Sequence, residues 1–439
     1  MTVIASLSMQ NFTATFRRSR FLWAGITLVT VLWLVLQAFS GGTRHSLLKS
    51  ATTLVTGHIN VAGFYKSNPS DVAAVIENAD AVEQMLRQNR PALKRFMRRY
   101  RGWGKAISDL DSLQTGMIGV TIEDEPELFS LLSSSRRSSE TGSLARLKEK
   151  NVVVLFEEQA RRLSVDVGDK ITIRSETFGG RANTIDAEII YIAKDLGVLS
   201  NFSMIVPNEL LRALYQLQEN TTGVFHLILD DIEDSSELSV KIRSELVTHG
   251  HLLLPPSSDP FFLKLQDLSN ESWLGQKLDV TIWNEEVSYL TWILTSLSSL
   301  NAILTTIMIL LIAIGILNTL WISVRRRTSE VGTLRAIGMS KSRVLRMFLY
   351  ESFWLGLVGT LSGALIATLT CWALEYASIQ VPNEALHAIL MSDVLHFHLS
   401  ALDVLRTTIL ITAIVVLSAL PPAFRATQIP PITAIHRTD

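Results

Sequence analysis

Cysteine is nearly absent from this 439-residue chain, Cys371 being the single one. No intrachain disulfide and no cysteine-based zinc site can form, and thiols say nothing about redox compartment. Net charge is also missing: 40 Lys and Arg stand against 41 Asp and Glu. That balance argues against a nucleic-acid binder and makes every charge argument local. There is no G-x-x-x-x-G-K-[ST] phosphate loop, no G-x-S-x-G and no H-E-x-x-H. No catalytic residue is assigned, and any nucleotide energy must come from another chain. What is abundant is apolar: 48% of residues, with only 18% charged. This is too apolar for an ordinary soluble protein and too charged for one wholly in lipid.

Four stretches without Asp, Glu, Lys or Arg occupy residues 21–43, 287–324, 352–374 and 407–424. A hydrocarbon core of about 30 Å takes about 20 residues of helix, and only a helix satisfies its own backbone there. The layout is one membrane helix, a long interval, then three more. The stretch 287–324 exceeds one span and is rich in Ser and Thr over 290–301, so it reads as a helix that rises out of the membrane, with its span at 302–322. Flanking cations set the orientation. Arg17, Arg18 and Arg20 precede the first span, so residues 1–20 face the cytoplasm. The loop 325–346 carries Arg325, Arg326, Arg327, Arg335, Lys341, Arg343 and Arg346 against Glu330 alone and faces the same way. The third helix is placed at 347–374. The loop 375–406, with Glu375, Glu384, Asp393 and Asp403, suits the outside, and 425–439 returns to the cytoplasm. A cleaved signal peptide is the rival reading of the first segment, but its apolar run exceeds the usual 7–15 residues of a signal core.

The interval 44–286 then lies outside and alternates short apolar runs with helical stretches, the pattern of a mixed α/β domain. Strands are expected at 53–65, 116–123, 152–156, 170–174, 186–193, 202–206 and 224–230. Helices are expected at 69–89, 157–163, 208–218 and 235–249. The Ser-rich segment 130–143 reads as a surface loop and 178–183 as a hairpin tip. Lys94, Arg95, Arg98, Arg99, Arg101 and Lys105, interleaved with Phe96, Met97, Tyr100 and Trp103, read as neighbouring faces of a helix. Such a face either touches anionic lipid headgroups or, more ordinarily, is solvated and packed by its aromatics. His396 and His398 are too few for a metal site, and none is assigned. Asp230, Asp231, Glu233 and Asp234 read as a solvated turn.

The loop RRRTSEVGTLRAIGMSKSRVLRMFLYES, residues 325–352, is the most informative segment. It reads as a short amphipathic helix with Val331, Leu334 and Ile337 on one side, and Gly332 and Gly338 at points of close approach or turning. Arg327, Glu330, Val331, Gly332, Leu334, Arg335, Ala336, Ile337 and Gly338 fill, in order, the pattern R-x-x-E-[IV]-G-x-[LM]-[RK]-A-[IL]-G. This resembles the FtsX/MacB/LolC-LolE family of ABC permeases. Asn318, Trp283, Gly356, Gly359 and Gly363 look like family positions, the last pair forming a small-xxx-small packing surface. Pro421, Arg425, Ala426, Ile429, Pro431, Ala434 and Ile435 resemble the family's closing motif, and Gly57-His58-Ile59 and 153–173 resemble family strands. Phe156 and Gln159 depart from the family pattern, which suggests altered recognition by the outer domain.

The resemblance implies an α-helical membrane protein with four transmembrane helices and an extracytoplasmic α/β domain between helices 1 and 2, made of two lobes with one inserted in the other near 121–224. It implies a bacterial inner-membrane location with both termini cytoplasmic. Residues 330–338 would be the coupling helix that docks on a cytoplasmic ATPase dimer. ATP and magnesium would be held by that ATPase, with no cofactor in this chain. A second permease subunit, identical or paralogous, membrane lipid and a periplasmic carrier or adaptor are the other expected partners. Thr27, Thr30 and Gln37 are candidate cavity-lining positions. Three functions fit: release of lipid-linked cargo such as lipoproteins, export of small molecules or peptides with a separate ATPase, and FtsX-like regulation of a cell-wall hydrolase. MacB-type exporters carry their ATPase on the same chain, which favours the first.

Overall fold

A computed structural model describes residues 2–68, 71–88, 93–132, 142–177, 179–201, 203–326, 328–381, 390, 392 and 394–428; the side chains of 2–19, 71, 198, 201, 289, 320, 323–326 and 328–330 lie outside that description. In chain order the elements are α1 (Thr2–Leu54), β1 (Ile59–Asn68), β2 (Asp71–Ala73), β3 (Ile76–Glu77), α2 (Ala79–Arg87), β4 (Leu93–Ile107), β5 (Ser112–Val120), α3 (Pro126–Leu131), β6 (Val152–Phe156), α4 (Glu157–Leu163), β7 (Lys170–Glu176) and β8 (Ala182–Ala193). They continue with α5 (Val198–Asn201), β9 (Ser203–Pro207), α6 (Asn208–Tyr215), β10 (Thr221–Thr222), β11 (Val224–Leu229), α7 (Ser235–Thr248), α8 (Phe261–Ser269), β12 (Gly275–Ile282), α9 (Trp283–Glu286), α10 (Ser288–Arg326), α11 (Thr328–Ala336), α12 (Lys341–Ala377) and α13 (Ala401–Gln428). Two compact units result. One comprises 1–45, 294–380 and 394–439, the other 46–293 and 381–393.

The α/β unit is built on a sheet ordered β12-β1-β11-β4-β5-β9-β6-β8-β7, in which β4 also pairs with β7. That extra pairing closes β4, β5, β9, β6, β8 and β7 into a ring. Strand β6, Val-Val-Val-Leu-Phe, is buried along its whole length, as expected for a strand covered on both faces. Helix α4 follows it directly, with Glu157 and Glu158 in its first turn and Arg161 and Arg162 in its last, each charge opposing the helix dipole. Helix α6 buries Leu210, Leu211, Leu214 and Tyr215 on one side, and these join Leu155, Ile173, Ile189 and Val206 in the ring's core. The other half of the sheet, β12-β1-β11 with the start of β4, is antiparallel. Its core joins Val61, Phe96, Phe225 and Val280 to Leu86 of α2 and Leu246 of α7.

Several expectations need correction. Thr53 and Leu54 belong to α1, and the strand expected from 53 begins only at Ile59. The segment expected as one helix from 69 to 89 holds two short strands before α2, and β12 and α8 were not foreseen. The basic stretch 94–105 is a strand, not a helix. Its two faces both carry cations, which hides the period of two. Phe96 and Tyr100 point into the two cores, while Arg98 pairs with Asp80 and Glu83 of α2. Arg99 is 1% exposed, so this stretch is neither a lipid-facing nor a solvated helix. Most of residues 130–143 lie outside the described residues. Residues 230–234 form an exposed turn in which Asp231 Oδ1 accepts from the Glu233 amide at 2.9 Å.

The second face of the antiparallel half is polar and buried. Asn60 Oδ1 accepts from the Gly57 amide at 2.7 Å and contacts Thr56 Oγ1 at 2.9 Å. It also lies 2.6 Å from His226 Nδ1, so that nitrogen carries the ring proton. Burial, followed by the fields of Arg99 and Arg101, holds the His226 pKa well below its ordinary 6.5.

In the helical unit, α1, α10, α12 and α13 are each long and apolar enough to cross a membrane. Ile26 and Trp33 of α1, Ile312 and Ile316 of α10, Leu355 of α12, and Ile411 and Val415 of α13 share one core. Thr360 Oγ1 donates to Gly356 O at 2.9 Å and lies 3.3 Å from Thr412 Oγ1 on α13, a type of interhelical contact worth about 0.6 kcal/mol in a bilayer. On α10, Leu300, Ile303, Ile307, Leu310, Leu311 and Ile314 are exposed in the single chain, which suits contact with lipid or with another helix.

Two outcomes follow. The folded state holds His226 neutral whereas the unfolded chain protonates it near 6.5, so stability falls as pH drops below about 6.5 toward the folded-state value. Thermal unfolding of the full chain in detergent should show less acid sensitivity in His226→Gln than in wild type; identical pH slopes would remove His226 from the acid response. Separately, a Cβ on Gly363 would sit 2.6 Å from Thr30 Cβ and 2.8 Å from Thr27 O, whereas one on Gly315 would meet nothing within 4 Å. Gly363→Val should therefore cost about 1–3 kcal/mol by overpacking and Gly315→Val close to nothing, read as melting temperatures in the same detergent.

Candidate coupling site

Residues 328–339 form a compact structure at the joint of three helices. Helix α11 ends in a glycine-dependent cap: the Gly338 amide donates to Arg335 O at 3.1 Å and the Met339 amide to Leu334 O at 3.0 Å. Gly338 sits at φ +101°, a left-handed conformation that a side chain would strain. The chain turns there and restarts as α12, where Ser340 O accepts from the Arg343 and Val344 amides.

The amphipathic reading divides the proposed coupling residues. Val331 packs with Val344 and Phe348 of α12 and with Ala423 and Ala426 of α13. Gly332 is buried and Leu334 half-buried. Arg335 is turned inward, its Nη1 donating to Thr427 O in the last described turn of α13 at 3.0 Å, where a cation suits the negative end of the helix dipole. Ala336, Ile337 and Gly338 face outward with Thr333; Ile337 is 85% exposed. Ile337 therefore leaves the apolar side that the sequence grouped with Val331 and Leu334: its amide still bonds Thr333 O at 3.0 Å, and at 3.6 residues per turn two steps of three carry it about 120° round the helix from Val331. Arg327 and the side chain of Glu330 lie outside the described residues, as do Ile429, Pro431, Ala434 and Ile435 of the closing motif. Arg425 of that motif stacks on Trp321 at 5.0 Å.

The packing residues divide as well. Asn318 is exposed. Gly356 faces Val415 of α13, and Gly359 and Gly363 face Ile26, Thr27 and Thr30 of α1. Thr27 Oγ1 donates to Gly359 O at 3.2 Å and contacts Ser362 Oγ at 3.0 Å. Thr27 and Thr30 are thus buried against α12 rather than lining an open cavity, because the glycines let the helices close on them. Gln37 is half-buried, its Oε1 accepting from Asn301 Nδ2 of α10 at 3.4 Å. Phe156 and Gln159 are also internal: Gln159 Oε1 accepts from the Phe156 amide at 3.2 Å and its Nε2 donates to Ser200 O at 3.0 Å. Their departure from the family pattern changes a core, not a recognition surface. His396 pairs with Glu375 at 2.9 Å and His398 stacks on His45; among the described residues no group of three or more His, Cys, Asp or Glu is placed to hold a metal.

Residues 302–431 match the FtsX-like permease C-terminal family. The ABC transporter permease YtrF of Bacillus subtilis is 31% identical over 140 residues, 30% of each chain. The lipoprotein-releasing system transmembrane protein LolC of Xylella fastidiosa is 25% identical over 189 residues, 40% of this chain and 45% of that one. The macrolide export ATP-binding/permease protein MacB of Mannheimia succiniciproducens is 29% identical over 124 residues, 28% of this chain and 17% of that one. The matches span less than half the length of each of these relatives. Among solved structures, the extracellular domain of the YknZ transporter aligns over 44% of this chain and 95% of its own, at 12% identity and a TM-score of 0.30. The helical segment 302–431, which contains α11 and the helices that pack around it, is an FtsX-like permease domain.

Proposed function

We propose that this chain is the permease subunit of an ABC-type complex in which a separate cytoplasmic ATPase dimer, binding ATP with magnesium, drives extraction or export of lipid-linked cargo. The observation that carries the reading is α11, a short helix braced by Val331 and Arg335 on one side and presenting Ala336, Ile337 and Gly338 on the other. An exposed aliphatic side chain on a braced helix suits a socket in a partner, where burying it adds about 2–3 kcal/mol. The positive flanks favour a cytoplasmic position for this loop, with the α/β unit on the far side of a bacterial inner membrane. Two permease subunits would pair beside a shared cavity, and closure of the ATPases would tilt α10 and α1.

The similarity to LolC supports lipoprotein release, in which cargo passes from the membrane to a periplasmic carrier without crossing the bilayer. The similarity to MacB supports the second reading, export of small molecules or peptides, equally well. Mass spectrometry of material bound to the purified complex separates the two.

The docking role is checked in the reconstituted complex. Ile337→Asp should lower cargo-stimulated ATP hydrolysis by about tenfold or more, the scale of an interface hot spot, while the melting temperature stays near wild type because Ile337 makes no core contact. Arg335→Ala should instead lower the melting temperature by freeing the end of α13. Unchanged ATP hydrolysis in Ile337→Asp would rule out docking through this face.

A further inference from the structure

Strand β4 belongs to both halves of the α/β unit. Leu93 to Arg99 pair with β11, and Tyr100 to Ile107 pair with β5. Arg99, buried, and Arg101, half-buried, flank that crossover and point to the same face. Arg99 Nη1 donates to Leu54 O at 2.7 Å and Nη2 to Thr53 O at 2.6 Å, the last carbonyls of α1. Its Nε donates to Glu125 Oε1 at 2.9 Å, and Nη2 also reaches Glu125 Oε2. Two residues on, Arg101 Nη1 donates to Glu286 Oε2 at 3.2 Å. Glu286 closes α9, so Val287 alone separates it from α10, and its Oε1 accepts from Thr281 Oγ1 of β12 at 2.9 Å.

We propose that Arg99 with Glu125, and Arg101 with Glu286, form a force-bearing joint that fastens the end of α1 and the start of α10 to one strand of the sheet. The inference rests on the permease reading above, and it names positioning residues for that reading's coupling, not cargo contacts. Three features make the joint stiff. The Arg99 guanidinium holds the Glu125 carboxylate in a two-point fork. Its positive charge meets the negative end of α1. The pairs are largely shielded from water, Arg99 and Glu125 being 1% and 2% exposed and Arg101 and Glu286 13% and 4%. The link from α1 to β1 is only residues 55–58, and its amides are bound too: His58 donates to Leu227 O, and Gly57 to Asn60. A displacement of either helix thus reaches β4, and through β4 both halves of the sheet.

The joint is tested by hydrogen exchange on the full chain, with its co-purified ATPase in nanodiscs, with and without ATP plus vanadate. Wild type should show a nucleotide-dependent change in exchange at residues 51–57 and 281–293. Arg101→Gln and Glu286→Gln should each shrink that change about fivefold or more, the lower range of measured couplings between sites. Residues 153–173, in the ring core, should keep wild-type protection, and Arg101→Lys should retain most of the change. Should either Gln variant keep ring protection and the full nucleotide-dependent change, the joint is overturned while the permease reading stands. No nucleotide-dependent change in wild type would overturn both.

Discussion

A helix that ends inside a folded domain must satisfy its last four carbonyls, and in this chain that requirement falls on the helix that also has to cross a membrane. Arg99 answers it at Thr53 and Leu54. Putting a guanidinium at a position 1% exposed is costly unless its charge is matched, and Glu125, 2% exposed, matches it. Strand β4 supplies that cation and the short turn after Ile122 supplies Glu125, so the two elements and the end of α1 meet at one buried charge. Removing either partner of such a pair leaves a bare charge and costs about 3–5 kcal/mol. The pair is better understood as fixing where the helix ends than as a source of net stability.

The helical unit depends on a different constraint. Lipid supplies no hydrophobic drive between helices, so close approach must come from small residues. Gly359 and Gly363 provide it for α1, and Thr27 then reaches Gly359 O. The glycine spacing was legible in the sequence; the partner surface, Ile26 to Thr30, was not, because a small-xxx-small stripe says that a helix comes close and not which one.

The four membrane helices, β6 and α4 were readable because their signals are long or uniform: uninterrupted apolar runs, or a five-residue aliphatic strand followed by a helix with opposed end charges. Strand β4 was misread because Arg95, Arg99 and Arg101 sit on one face and Lys94 and Arg98 on the other, so polarity carried no period. Strand β12, Gly275–Ile282, carries the alternation of a strand, Lys277, Asp279 and Thr281 against Leu278, Val280 and Ile282, but its sequence does not tell that Asp279 and Thr281 on the polar face are buried. Only the ion pairs that enclose it, Lys264 with Asp279 at 2.7 Å and Arg243 with Asp279 at 3.2 Å, explain why such a strand lies inside. The motif marks 327–338 as a unit, whereas only the helix register and the cap at Gly338 tell that Thr333, Ala336, Ile337 and Gly338 face outward.

Both the docking face and the joint presuppose that an ATPase acts on this chain from the cytoplasm. The direct measurement is purification of the full-length chain from its native membrane in mild detergent, with the co-purifying proteins identified and counted by quantitative mass spectrometry. A nucleotide-hydrolysing ABC subunit at one copy per permease chain, displaced by Ile337→Asp, is the expected result. A pure permease fraction with no ATPase, or one whose ATPase content ignores that substitution, would contradict it.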